Sequence, residues 1–153
     1  MPLKIGDPLP SLEGATSWFN ASGAPDAYTG GSPLLVHFWS VSCYLCKGNF
    51  PALRALKEQY ASRGLKVIAV HMPRQEEDTN VDAVQECINQ FEIIEPCAVD
   101  NAHALKESFK NEQGWVPAYF LFDADGKLRG RSAGEAGISV LSNALQRLFP
   151  AEA

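Results

Sequence analysis

Residues 34–46 have the sequence LLVHFWSVSCYLC, in which an apolar run passes directly into a Cys-x-x-C motif. The run over 34–41 is nearly continuous, is broken by His37 and is typical of a strand buried on both faces. Residues 46–60 then place four apolar side chains at helical spacing: Phe50, Leu53, Leu56 and Tyr60. The sequence therefore predicts that the two cysteines lie where a buried strand ends and a helix begins.

That position favours redox chemistry. The free N–H groups and the positive dipole end of a helix N-terminus stabilise a thiolate, which is the nucleophile of disulfide exchange. We therefore expect Cys43 to attack, and Cys46, three residues later on the same helical face, to resolve the mixed disulfide. Lys47 adds a nearby positive charge, whereas Tyr44 and Leu45 add none.

Zinc binding and inert burial are the competing interpretations of the motif. A zinc site needs a second ligand pair, but Cys87 and Cys97 are ten residues apart, and His37, His71 and His103 show no ligand spacing. Cys87 and Cys97 are expected to be small core residues that do not form a second disulfide. The sequence thus predicts no metal and no cofactor beyond a redox-active disulfide.

In the rest of the chain, strand patterns alternate with helix patterns, and an antiparallel hairpin precedes the last helix. Strand patterns occupy 65–71 and 97–99, and helix patterns occupy 81–91, 102–109 and 138–149. Two further strands flank the turn-forming residues 123–126, which predicts a hairpin. We expect one α/β domain over 1–153, with an irregular or hairpin-like extension at 1–32 and a core at 33–150.

A proline follows Val116 directly before one hairpin strand. Pro117 is expected to have a cis peptide bond, an ordinary trans loop proline being the alternative. Together with the strand, the Cys-x-x-C helix and the hairpin, it completes a thioredoxin fold: a central mixed β-sheet flanked by helices. In that fold the loop lies beside the cysteines, where Val116, Pro117 and the neighbouring Trp115 would bind an extended substrate through its backbone.

Several segments carry a family resemblance. Residues 38–46, FWSVSCYLC, followed by Pro51, resemble the active-site segment of TlpA- and ResA-like thiol:disulfide oxidoreductases of the thioredoxin superfamily. Further segments, WFN at 18–20, VIAVHMP at 67–73, VDN at 99–101 and WVPAY at 115–119, are similar to the soluble redox domain of DipZ-type proteins. Leu45 and Arg74-Gln75 depart from this subgroup, which usually has Asn and Glu at these places.

The resemblance also implies roles for two residues of the first strand. His37 occupies the position where thioredoxin has a buried aspartate, so a proton relay to Cys46 is one interpretation. We favour the other, a neutral, hydrogen-bonded core histidine, because burial disfavours the charged form. Trp39 is expected to pack next to the disulfide without taking part in the chemistry.

The composition of the chain limits the classes of partner that it can bind. The chain has 153 residues, 46% of them hydrophobic, and 13 basic against 18 acidic residues give a net charge of -5. This balance is unsuited to a phosphate backbone, and we expect no nucleic-acid partner. No apolar run approaches the roughly 18 residues of a membrane helix, and the first ten residues do not resemble a leader. We expect a cytoplasmic protein, or an extracytoplasmic one if a leader has been removed.

The sequence predicts a monomeric thiol:disulfide oxidoreductase that acts as a reductant of protein disulfides and is recharged by an upstream reductant. Two other functions stay open. A peroxidase of the peroxiredoxin type would need an activation segment before its cysteine, and residues 39–42 do not supply one. A non-catalytic redox-sensing or binding module has no sequence feature against it.

Overall fold

The computed structural model describes residues 2–25, 28 and 30–150. Its central sheet has six strands, which are β1 (Ser17–Phe19), β2 (Leu34–Trp39), β3 (Lys66–His71), β4 (Cys97–Val99), β5 (Ala118–Phe122) and β6 (Leu128–Ala133). In the described part of the chain four helices accompany it, α1 (Tyr44–Ala61), α2 (Val81–Gln90), α3 (Ala104–Ser108) and α4 (Gly137–Leu148), together with a 3-10 turn at Glu76–Thr79. Met1, 26, 27, 29 and 151–153, which the predicted domain includes, lie outside the described residues.

The sheet is mixed. Its strand order is β1-β4-β3-β2-β5-β6, and the central three strands β4, β3 and β2 are parallel. Strands β5 and β6 form the expected antiparallel hairpin, and β5 runs antiparallel to β2. Every residue of β2 is buried, as its apolar sequence predicted, because helices cover both faces of the sheet. This arrangement confirms the thioredoxin fold expected from the sequence.

The N-terminal extension pairs with the central sheet. Its strand β1 does not pair within the described part of the extension but adds antiparallel to β4, with Trp18 opposite Ala98. A second short bridge joins Pro8 to Lys127 at the β5–β6 turn. Of the two expected forms of the extension, the described residues show irregular backbone and no local hairpin, because the open edge of β4 offers β1 unpaired N–H and C=O groups.

Two apolar layers enclose the sheet. The layer that contains Cys43 and Cys46 is formed with α1, α2 and α4. The opposite layer packs α3 and the N-terminal segment against an aromatic group with centroids 5.3–6.2 Å apart, formed by Phe38, Phe109, Phe120 and Phe122.

Helix α4 begins where a Cβ on Gly137 would lie 2.8 Å from the Tyr119 ring, so only glycine permits this approach. Among the described residues no helix is long and apolar enough to cross a membrane.

Candidate active site

The two cysteines lie at the start of α1, as the sequence predicted. Cys43 is the N-cap residue, and its Sγ accepts a hydrogen bond from the Cys46 N–H at 3.0 Å. The two form a disulfide with their Cα atoms 5.3 Å apart. No acidic residue occupies the first turn of the helix, so the positive end of its dipole is not neutralised there. Both residues are almost fully buried, so exposure does not distinguish them. The cap position of Cys43 therefore favours it as the nucleophile.

The loop before β5 borders the disulfide. The Val116–Pro117 peptide bond is cis, as predicted, and Pro117 O accepts from the Gly134 N–H at 2.9 Å. The pairing of Phe38 with Ala118 brings Pro117 beside Trp39 at the end of β2. Val116 packs against the same apolar layer as Cys43 and Cys46. The β2–β5 register therefore brings the proline loop next to the cysteines.

A buried asparagine fixes this loop. Asn111 donates from Nδ2 to Trp115 O at 2.9 Å, and its Oδ1 accepts from the Trp115 N–H at 3.0 Å. The side chain thus pairs with both polar groups of one main-chain residue, as a neighbouring strand would. Among the described residues, no hydrogen bond uses the main chain of Val116. In the described structure its N–H and C=O therefore have no hydrogen-bond partner.

Trp39 packs beneath the disulfide, as expected. It is fully buried, with edge contacts to Phe50 at 5.8 Å and His71 at 4.8 Å between ring centroids. Three large apolar side chains of the cysteine motif and the proline loop are exposed, and we call them the apolar rim: Tyr44, Leu45 and Trp115. Trp115 is 52% exposed and donates from its indole to Gln113 Oε1. The apolar rim gives the motif and the proline loop exposed apolar surface that a protein partner can cover.

The residues that precede Cys43 are fixed by side chains from the end of β3 and from the segment that follows it. The Val41 N–H donates to His71 Nε2 at 3.0 Å, and the Ser42 hydroxyl donates to Asp78 Oδ2 at 2.7 Å. Arg74 Nη2 donates to Ser42 O at 2.7 Å. Burial opposes ionisation of Asp78, but hydrogen bonds from the Arg74 N–H and the Ser42 hydroxyl outweigh it and lower its pKa.

His71 gives the protein a pH dependence of stability. Burial lowers the pKa of His71 to about 4, although the charge of Asp78 acts in the opposite direction. The unfolded chain therefore binds a proton near pH 6.5 that the folded protein does not bind until about pH 4. In this window stability falls as the pH falls.

We expect the free energy of unfolding to decrease by about 2 to 3 kcal/mol between pH 7 and pH 4, since one pKa unit corresponds to 1.36 kcal/mol. Urea unfolding at several pH values measures it. His71→Gln, which keeps an acceptor for the Val41 N–H, is expected to remove most of this slope. An equally steep slope in that variant would assign the effect to other groups. Glu95, whose pKa is lowered from 4.5 to about 2, begins to lose its contribution only near pH 4.5, at the lower end of this window.

His37 belongs to a buried charged group. Its Nε2 lies 2.5 Å from Glu95 Oε2, and Lys57 Nζ donates to Glu95 Oε1 at 2.8 Å. Burial disfavours ionisation of Glu95, but His37 and Lys57 outweigh it and lower its pKa to about 2. Lys57 and Glu95 also line a surface cavity of about 420 Å³. The expected hydrogen bond of His37 is present, and a proton relay from His37 to Cys46 stays a prediction.

The remaining two cysteines belong to the same apolar layer as the disulfide but are not bonded to it. Cys87 and Cys97 are free thiols and both are buried, as expected for core residues. Burial raises the pKa of Cys97 to about 12 and also raises that of Cys87, which the charge of Lys47 partly offsets. Lys47 therefore lies near α2 as well as near the motif. Within the described residues, no group of three or more His, Cys, Asp or Glu side chains could hold a metal ion.

Sequence reasoning missed the supporting residues. His71 could have been found, because it ends a parallel strand beside the strand that leads to Cys43. Glu95, Asn111 and Asp78 have no local signal, since their importance depends on side chains or loops that the fold brings to them. Arg74 was noted only as a departure from the subgroup, and its contacts with Ser42 were not foreseen.

Comparison with known proteins agrees with this site. The Redoxin family model matches residues 4–145. Thiol-disulfide oxidoreductase YkuV of Bacillus subtilis is 38% identical over 147 residues, which are 96% of this chain and 97% of the relative. Protein DipZ of Mycobacterium tuberculosis is 30% identical over 92% of this chain, which spans only 20% of DipZ. ResA of Bacillus anthracis is 27% identical over 78% of this chain and 65% of its own length.

Solved structures show the same fold. A thioredoxin-like protein in its oxidised form, solved in solution, superposes with a TM-score of 0.82 at 38% identity, over 96% of this chain and 97% of that one. A thiol-disulfide isomerase from Corynebacterium glutamicum superposes with a TM-score of 0.79 at 22% identity, over 95% of this chain and 97% of that one. The chain therefore belongs to the Redoxin family, and within it to the thioredoxin-like thiol-disulfide oxidoreductases.

Proposed function

We propose that this protein reduces disulfides of protein substrates in a reducing compartment, the cytoplasm, and is recharged there by an upstream dithiol reductant. The observation that carries this proposal is the Cys43–Cys46 disulfide at a helix N-terminus, beside the unpaired main chain of Val116. The exposed apolar rim supports a protein substrate rather than a small one. We also propose that it works as a monomer, since one chain supplies all these groups.

The chemistry of one cycle follows from the positions of the two thiols. In the reduced protein the Cys43 thiolate attacks a substrate disulfide, and the departing substrate sulfur takes up a proton. Val116 would hold the substrate strand through its N–H and C=O during this step. Cys46 then loses its proton and attacks Cys43 Sγ, which releases the second substrate thiol. Two electrons and two protons have passed to the substrate, and the upstream dithiol replaces them.

The direction of electron flow depends on how strongly the Cys43 thiolate is stabilised. A strong oxidant needs a highly stabilised thiolate. Tyr44 and Leu45 point outward and carry no charge, so the helix N-terminus supplies most of the stabilisation, with a contribution from the cations outside the motif. This moderate stabilisation supports a reductant.

We expect a reduction potential of roughly -200 to -280 mV, on the reducing side of the thioredoxin-like scale. Equilibration with glutathione buffers, with the oxidised fraction measured by mass spectrometry after alkylation, determines it. A potential above about -150 mV would contradict the proposal. It would indicate an oxidising role in an extracytoplasmic compartment.

Turnover separates the remaining functions. We expect catalytic reduction of insulin over many cycles when a dithiol is supplied, and no catalysed consumption of hydrogen peroxide. A single stoichiometric oxidation without turnover would indicate a redox-sensing module. Peroxide consumption that requires Cys43 would indicate a peroxidase.

A further inference from the structure

The guanidinium of Arg74 lies beside the disulfide and is held in place. Its Nη2 donates to Ser42 O at 2.7 Å and to Ser42 Oγ at 3.2 Å, and its Nε lies 3.4 Å from the same hydroxyl. Ser42 O belongs to the peptide group that joins Ser42 to Cys43, so covalent geometry keeps Nη2 within about 10 Å of Cys43 Sγ. A cation is thus anchored next to the nucleophile.

The segment that carries Arg74 is also fixed. The Arg74 main-chain N–H donates to Asp78 Oδ2 at 2.9 Å. The carbonyl of the preceding residue, Pro73 O, accepts from His103 Nε2 at 3.1 Å. The exposed side chain therefore starts from an ordered main chain and ends on an ordered carbonyl. An arginine held in this way loses little further conformational freedom when it binds a ligand.

Arg74 has no carboxylate partner within the described residues. Two other arginines pair with acids, Arg54 with Glu92 at 3.0 Å and Arg129 with Asp123 at 2.5 Å. The nearest acid to Arg74, Asp78, is buried and already accepts from Ser42 and from the Arg74 main chain. Both N–H groups of Arg74 Nη1 remain without a protein acceptor in the described part of the chain. The surface at this point offers a charge and two free donors.

The surroundings allow an acidic ligand but do not make the whole surface basic. Lys47 is the other cation near the motif, and Glu76 and Glu77, exposed on the 3-10 turn, are the nearest free acids along the chain. The protein as a whole carries a net charge of -5. A preference for acidic substrates would therefore come from Arg74 locally and not from the general field of the protein.

We propose that Arg74 is a specificity-determining residue that binds a carboxylate of the substrate, an aspartate or glutamate side chain next to the disulfide cysteine. This inference rests on the proposed reduction of protein disulfides. The free Nη1 donors of Arg74 form charge-assisted hydrogen bonds with the carboxylate while the substrate main chain pairs with Val116. The apolar rim covers the rest of the substrate segment.

Three disulfide-bonded peptides test the proposal. They are identical except for the residues that flank the reactive cysteine, which are both Glu, both Gln or both Lys. Reduced protein is mixed with each peptide. The second-order rate constant for oxidation of the protein is measured by acid quenching and alkylation. From the range measured for exposed ion pairs, we expect the Glu peptide to react about threefold faster than the Gln peptide and about tenfold faster than the Lys peptide.

Substitutions test whether Arg74 causes the preference for the Glu peptide. Arg74→Gln is expected to bring the Glu to Lys ratio near one, and Arg74→Glu to reverse it. Because each ratio compares two peptides on the same variant, a general loss of order around Ser42 cancels. Arg147→Gln, an exposed arginine in the last turn of α4, is the matched control and is expected to keep the wild-type ratio. Addition of salt is expected to reduce the wild-type ratio.

The possible failures are distinct. Equal rates for the three peptides with the wild-type protein, or an unchanged ratio in Arg74→Gln, would overturn the role of Arg74 while the proposed function stands. If the wild-type protein reacts with the Gln peptide no faster than a Cys43→Ser variant does, the proposed function itself fails.

Discussion

Replacing Cys43 by serine is expected to abolish disulfide exchange, whereas replacing Cys46 by serine is expected to trap a mixed disulfide with the substrate. The reason is the position of the two residues on α1. Cys43 caps the helix and receives the Cys46 N–H at its sulfur, so its thiolate is the stabilised one. Without Cys46, the attacking sulfur forms a bond to the substrate and no second thiol releases it.

Two measurements check these roles. Insulin reduction by Cys43→Ser should fall to the rate of the uncatalysed reaction, and mass spectrometry of Cys46→Ser incubated with a disulfide peptide should show the covalent adduct. Cys87→Ser, which alters a buried free thiol, is the control and is expected to retain turnover. Faster alkylation of Cys46 than of Cys43 in the reduced protein at pH 7 would reverse the assignment.

Replacing Glu95 by alanine is expected to lower the free energy of unfolding by about 3 to 5 kcal/mol, the range measured when one partner of a buried ion pair is removed. Glu95 is 6% exposed and accepts hydrogen bonds from both His37 and Lys57. Its removal leaves the buried His37 ring without an acceptor. Lys57 loses less, because its side chain is 17% exposed and borders the surface cavity.

Urea unfolding at pH 7 measures this effect. Glu92→Ala is the matched control, since Glu92 lies in the same segment and pairs with Arg54, but its side chain is 69% exposed. We expect that control to change stability by less than about 1 kcal/mol. Equal effects of the two substitutions would show that the buried group adds nothing specific. The contribution of Glu95 is present above its unfolded pKa of about 4.5 and is lost as the pH falls through about 2.

The elements that the sequence predicts correctly are those for which one short segment contains all the information. The apolar run before Cys43, the helical spacing after Cys46 and the turn at 123–126 each reflect a local period or a local backbone preference. The cis bond before Pro117 was also expected from its place in front of a hairpin strand. The pairing of the extension was not predicted, because an isolated stretch of turn-forming residues does not reveal that the edge of β4 will receive it.

By itself the sequence determined the order of strands and helices after residue 33, the cysteine pair at a helix N-terminus and the proline before β5, because periodicity, capping and proline geometry act over a few residues. Only the tertiary structure decided what supports them. Glu95 meets His37 across 58 residues, and Asp78 meets Ser42 across 36. Such pairs depend on strand register and on the path of loops, and a polar side chain carries no local mark of the partner that burial will bring to it.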